Sequence, residues 1–208
     1  SVSTFNDNSP TSYFHKSIGG YHGAKVRRYQ ELIDTAIMQD MMQFQELSKT
    51  ARTIDDFLPV FNHTNALNML NAKYVIIDPA SPPLVNPRAM GNSWFAEKPL
   101  WAENANAEIS AINRFNPSAE AVIDVKFRDM VKKSNYPLSE NDTIYLVLYK
   151  PDELAYKYSC RGEKLAVFSE IYYPAGWEAY IDGKKTDYFR TNYVLRGMIL
   201  PEGDHEIK

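Results

Sequence analysis

The 208-residue sequence predicts an α+β fold, with N-terminal helices and a small sheet over residues 1–116 and an antiparallel β-sandwich over 117–208. Three observations predict it. The longest amphipathic period, with apolar residues three and four apart, lies within 22–48. Beyond Pro117 no long helical period survives, and short alternating runs separated by turn signals take over. The composition, 44% hydrophobic and 24% charged, is that of a chain able to bury a core.

Residues 1–17, rich in Ser, Asn and Thr, read as a loop or arm. In 22–48 the stripe Val26, Tyr29, Leu32, Ile33, Ala36, Ile37, Met41, Phe44 and Leu47 gives one face of a helix. Thr53 with Asp56 three places on is a capping-box variant, opening a short helix that Pro59 interrupts or ends. A further helix is expected over 64–71. The β-branched run 73–78 suits a buried strand closed by Pro79, and 79–92, with Pro82, Pro83, Pro87 and Gly91, a long surface loop. Residues 94–101 read as a strand demoted to an edge by Pro99, 103–115 as a helix and 121–124 as a strand.

The sandwich strands are expected at 143–149, 154–160, 164–172, 177–181, 193–200 and 205–207. Asp182-Gly183 between two extended runs is the chemistry of a type I′ hairpin, which needs positive φ at both central residues. Pro201-Glu202-Gly203-Asp204 supplies a second reversal.

With 23 Lys plus Arg against 26 Asp plus Glu, the net charge of −3 lacks the basic footprint of a nucleic-acid binder. The longest apolar run, six residues at 144–149, falls far short of the about 20 that span a membrane. No signal peptide opens the sequence, and both ends read as cuts, so the expectation is a fragment of a longer protein. Cys160 stands alone, so no intramolecular disulfide forms, and its strand-like position suits a small buried hydrophobe better than a nucleophile. The four histidines, His15, His22, His63 and His205, show no helical metal spacing. There is no Gly-x-Ser-x-Gly elbow, P-loop or dinucleotide fingerprint. No cofactor, metal or catalytic residue is therefore expected. Asp78, Glu97, Glu170 and Asp182 lie near strand ends and are the residue type a glycosidase needs in facing pairs. Asp182 is already explained by its turn, and Glu170 equally as an ordinary strand residue.

Two features are candidates for binding. Gly19, Gly20, His22, Lys25, Arg27 and Arg28 combine a glycine-rich turn with cations at a helix start, a pattern suited to a phosphate or carboxylate, or else a joint leading into a solvated helix face. Aromatics make up 13%, and Trp94 and Trp101 offer a sugar-stacking edge, or else core packing; seven apart on a strand, they point to opposite faces. Trp177, just after Pro174-Ala175-Gly176, is expected between the sheets.

Several blocks, in consistent order, resemble the C-terminal part of the YfhO family of bacterial membrane proteins. They are Tyr13-Phe14-His15-Lys16-Ser17-Ile18-Gly19-Gly20-Tyr21-His22 running on to Arg27-Arg28-Tyr29-Gln30, Leu67-Asn68-Met69-Leu70-Asn71-Ala72-Lys73-Tyr74, Asn86-Pro87 with Gly91-Asn92 and Trp94-Phe95, Phe168-Ser169-Glu170-Ile171-Tyr172-Tyr173-Pro174 with Gly176-Trp177, Tyr180-Ile181-Asp182-Gly183, and Asn192-Tyr193-Val194-Leu195-Arg196-Gly197. Ala175 departs from the pattern by adding one residue to its turn. The resemblance implies a polytopic inner-membrane parent similar to GT-C-type glycosyltransferases of lipid-linked sugars, with this part folded on the extracytoplasmic face. Its partners would be the parent's membrane helices and a glycan acceptor or lipid-linked donor. The loop where such enzymes carry their acidic catalytic residue is absent, so no catalytic residue transfers, and an accessory domain inert by itself is implied. A carbohydrate-binding module, or a structural cap on the membrane helices, remain as alternatives.

Overall fold

The structure, a computed structural model, describes residues 16–19, 26–78 and 80–208. The chain divides into two units, 1–89 and 90–208, ahead of the expected boundary at 116/117. The boundary moves because the strands expected near 94–101 and 121–124 pair with C-terminal strands rather than with the small N-terminal sheet.

In the first unit, α1 (Arg27–Leu32) passes through a π-helical stretch (Ile33–Ile37) into α2 (Met38–Leu47). Of the apolar stripe, Leu32, Ile33, Ala36, Ile37 and Phe44 are within the core, Tyr29, Met41 and Leu47 are half-buried and Val26 is exposed. The capping box forms as expected, with Asp56 accepting from Thr53 N at 2.9 Å. It opens a 3₁₀ helix (Ile54–Asn62) that continues through Pro59. In α3 (Asn65–Met69) the N-cap Thr64 makes no side-chain cap bond. Instead Leu67 N donates to Asp40 Oδ2 from α2 at 3.1 Å, supplying a cap from outside the helix. The strand expected over 73–78 shrinks to β1 (Tyr74–Val75), paired antiparallel with β2 (Leu84–Val85). Pro82, Pro83 and Pro87 around β2 have no N–H to donate, so the ladder extends no further.

In the second unit, β3 (Ser93–Ala96), β4 (Lys98–Ala102) and β5 (Glu120–Asp124) belong with β8 (Lys164–Ile171), β11 (Phe189–Thr191) and β12 (Leu195–Leu200) in one six-stranded sheet, ordered β3-β8-β12-β11-β5-β4. The pair β4–β5 is parallel, crossed over by α4 (Ala105–Ile112), and the remaining pairs are antiparallel. The two edge strands β3 and β4 are separated in sequence by Glu97 alone, so the sheet curls until its opposite edges meet in the chain. A five-stranded antiparallel sheet follows the order β10 (Lys184–Thr186), β9 (Ala179–Ile181), β13 (Gly203–Ile207), β7 (Leu154–Cys160), β6 (Thr143–Tyr149).

Phe95, Phe168, Met198 and Leu200 of the six-stranded sheet share one apolar core with Leu154, Tyr156, Tyr158, Cys160, Ile181 and Ile207 of the five-stranded one. The Asp182-Gly183 hairpin is as expected, at φ +49° and +77°. The β11–β12 turn carries a second pair of positive φ values, at Asn192 and Tyr193. There Asn192 Oδ1 accepts from Val122 N at 2.8 Å while its own N–H donates to Val122 O at 2.7 Å, so one asparagine does the work of a strand residue beside β5. Buried Arg190 binds Glu108 Oε2 at 3.0 Å and Asp124 Oδ2 at 3.2 Å, fastening α4 to the sheet. Helices packed with sheets make the fold α+β. No helix among the described residues is long and apolar enough to cross a membrane.

Candidate functional site

Along β8 and β12 the register shifts at one place. Leu195 pairs with Ile171 but Arg196 with Phe168, so Ser169 and Glu170 are two extra residues on β8 against β12. Such a bulge bends the strand and re-aims its side chains. Here it puts Glu170 into a cleft whose other walls include Tyr156 from β7, Arg196 from β12, Trp177 from the loop before β9 and Tyr188 from the loop before β11. Arg196 Nε donates to Ile171 O at 3.1 Å. Its guanidinium lies over the Trp177 ring, 4.4 Å from the centroid, the geometry of a cation–π contact. Gly176 holds φ +92° in the turn that presents Trp177, and Tyr188 Oη donates to Trp177 O at 3.2 Å. The floor is apolar, from Leu154, Phe168, Met198 and Ile207.

Burial pulls the Arg196 guanidinium below its ordinary value, and Glu170 opposes that shift; an arginine stays cationic all the same. Tyr156 is 4% exposed, and its hydroxyl has no hydrogen-bond partner among the described residues. Burial first, and the Glu170 charge second, push its phenol above the usual range, so it remains a protonated donor. The cleft has a cavity of about 50 Å³, room for a few waters or the edge of one small ring.

The two tryptophans singled out from the sequence are not brought together. Trp94 and Trp101 lie on opposite edges of the six-stranded sheet. Trp94 is 6% exposed, with Nε1 donating to Pro117 O at 2.8 Å, so it offers no stacking face. Trp101 is partly buried and has the Arg128 guanidinium 5.0 Å over its ring. The two do not form a sugar platform, because Trp94 is buried and Arg128 covers the ring of Trp101. Of the glycine-rich segment, Gly20, His22 and Lys25 lie outside the described residues. Gly19 N donates to Ser17 Oγ at 3.2 Å, and exposed Arg27 pairs with Glu31 at 2.9 Å. Arg28 follows Arg27 on α1.

Of the four strand-end carboxylates, Glu170 alone lines the cleft. Asp78 accepts from Ala80 N and Ser81 Oγ in its own turn, and Glu97 links β3 to β4. Asp182 borders a shallow groove of about 320 Å³ with Tyr145, Lys157 and His205. There it accepts from His205 Nδ1 at 2.5 Å and from Glu206 N at 3.0 Å, while His205 Nε2 meets Glu202 O at 3.0 Å. Both ring nitrogens thus face acceptor oxygens, an arrangement that favours the protonated ring. Among the described residues no group of three or more His, Cys, Asp or Glu side chains is placed to hold a metal ion.

Sequence reasoning missed Tyr156, Tyr188 and Arg196 as site residues. The available signal was the pair of separate blocks, 168–177 and 192–197, each setting a charged residue close to glycine and aromatics. No family model, no curated protein and no solved structure matches the chain.

Proposed function

We propose that this chain is an extracytoplasmic accessory domain of a larger membrane protein of the glycosyltransferase-like YfhO kind. In this reading it holds a glycan, as the acceptor or as the sugar of a lipid-linked donor, at the cleft of the second unit. The observation that carries the reading is the meeting of two separate sequence blocks there: Glu170 and Trp177 come from one, Arg196 from the other. An aromatic wall flanked by a carboxylate and a guanidinium supplies what a sugar asks for, apolar contact for its C–H face and both acceptors and donors for its hydroxyls. The domain positions the glycan, and the chemistry belongs to the parent protein, whose membrane helices are its partner at the outer face of the bacterial inner membrane. The same reading takes the two sheets that share one core as the layers of a β-sandwich.

The test is an array of bacterial cell-envelope glycans probed with the 208-residue chain, with Trp177→Ala, and with the double variant Arg27→Ala and Arg28→Ala. Retention by the wild type and the double arginine variant, with loss in Trp177→Ala, supports the reading. Retention of no glycan, or equal retention by Trp177→Ala, overturns it.

A further inference from the structure

Resting on that reading, we propose that the cleft selects an uncharged pyranose over an acidic or phosphorylated one, with Tyr156 Oη as the buried partner of one ring hydroxyl.

The lining carries two carboxylates, Glu170 and Glu178, and two cations, Arg196 and Lys208. Glu178 is held at the rim by Lys185, and Lys208 pairs with Glu206 at 3.4 Å. What faces a ligand inside is the Glu170 and Arg196 couple, whose charges act on one another. An anionic group brought to Arg196 would enter the field of Glu170 in a partly buried place, where like charges repel more strongly than in water. Arg196 has lost the Nε side of its fork for clamping an oxyanion, because Nε is spent on Ile171 O and its face on Trp177. The bidentate fork that makes arginine a phosphate binder includes that Nε or a free pair of Nη groups in open reach. A neutral polyol meets no such penalty. Its hydroxyls donate to Glu170 and accept from Arg196 at once.

The second, independent observation is Tyr156. Its ring packs edge-on to Phe168 at 4.9 Å; the hydroxyl is buried and unpartnered among the described residues, and Tyr156 is one of the residues that line the cavity. Buried hydroxyls are normally satisfied, and one left without a partner is costly. A ligand hydroxyl that fills this vacancy relieves the cost as well as adding a bond. The cavity of about 50 Å³ limits the entrant to the edge of one ring.

The experiment follows the three indole N–H signals of the 15N-labelled chain during titration with methyl β-glucoside, methyl β-galactoside, methyl N-acetyl-β-glucosaminide, glucuronate and glucose 1-phosphate. Trp94, closed off on Pro117 O, serves as the fold reference. A neutral pyranoside is expected to move the Trp177 signal and leave that of Trp94 in place, with both anionic sugars binding at least about tenfold more weakly. Tyr156→Phe should weaken the neutral sugar about five- to tenfold, and Glu170→Gln should bring glucuronate to parity. Anionic sugars bound as tightly as neutral ones, or an unchanged affinity in Tyr156→Phe, would overturn this inference while leaving the glycan reading standing. Failure of every sugar to move Trp177 would overturn both.

Discussion

Asn86 Nδ2 donates to Asn68 Oδ1 at 2.9 Å, both residues buried, and so joins the proline-rich loop to helix α3. The same Nδ2 reaches Ala72 O at 3.0 Å, and Asn68 Nδ2 reaches Phe61 O at 2.8 Å. Two blocks of the resemblance, 67–74 and 86–87, are thus one structural network. Replacing Asn86 with Ala leaves the buried Asn68 Oδ1 and the half-buried Ala72 O without this donor. The expected cost is about 1–3 kcal/mol, read as a lower urea midpoint for the first unit and faster hydrogen exchange at the α3 amides.

Asp40 sits in the same unit, 4% exposed, and caps α3 through Leu67 N. Burial pushes its carboxyl up to about 7 from 3.8, with the bonds from Leu67 N and Ala66 N pulling the other way. Since the folded state holds this proton more tightly than the unfolded chain, the unit is most stable below the ordinary carboxylate value and loses stability as pH rises toward about 7. Asp40→Asn keeps an oxygen for Leu67 N and removes the titration. Urea midpoints at pH 4, 6 and 8 should show the acid-to-neutral decline in the wild type and its absence in Asp40→Asn, with a gain at pH 8 on the order of 2–4 kcal/mol.

The parts of this fold that were legible from sequence are those set by local chemistry. The stripe from Leu32 to Phe44, the Thr53 and Asp56 box, the Asp182-Gly183 hairpin and the strands at 143–149 and 154–160 all follow from spacing within a few residues. What needed long-range pairing was not legible. Trp94 and Trp101 are seven apart in sequence, yet their strands lie at opposite edges of a curled sheet because each pairs with a distant strand, β8 or β5. The cleft depends on a two-residue slip between Phe168 and Ile171 against β12, and no local pattern announces a bulge. Tyr156 reads in sequence as one more inward strand aromatic; only its missing partner marks it out.

His205 Nδ1 and Asp182 Oδ2 latch the β9–β10 hairpin to β13 at 2.5 Å. The Asp182 bond first, and Glu202 O after it, raise the imidazole above its ordinary value, with nearby Asp204 adding to the effect. The Asp182 carboxyl is lowered in turn, first by Glu206 N and then by His205. The aspartate's contribution is present above its ordinary value and lost as pH falls through its lowered one. The histidine's is present below about 6.5 and lost as pH rises through its raised value. The latch is therefore strongest in mildly acidic solution. In an NMR titration the His205 ring should protonate with a midpoint above about 6.5, and Asp182→Asn should bring that midpoint down; an unchanged midpoint would count against the latch.

Phe189 and Gly197 are direct cross-strand partners on β11 and β12, and both are buried. A Cβ built on Gly197 falls 2.6 Å from Phe189 Cε2 and 3.0 Å from its Cζ, closer than carbon atoms approach without something shifting. The ring cannot swing away freely, since Phe127 stands 6.0 Å from it on another side. Gly197 is thus required by the aromatic lying across it rather than by any positive φ, and it adjoins Arg196 in the cleft. Gly197→Ala is expected to cost about 1–3 kcal/mol through overpacking and to disturb the Trp177 indole signal through the neighbouring arginine. Phe189→Leu, which trims the ring, should recover part of that loss in the double variant although it is itself destabilising. Strict additivity of the two substitutions in urea unfolding would show that the contact is not what keeps glycine at 197.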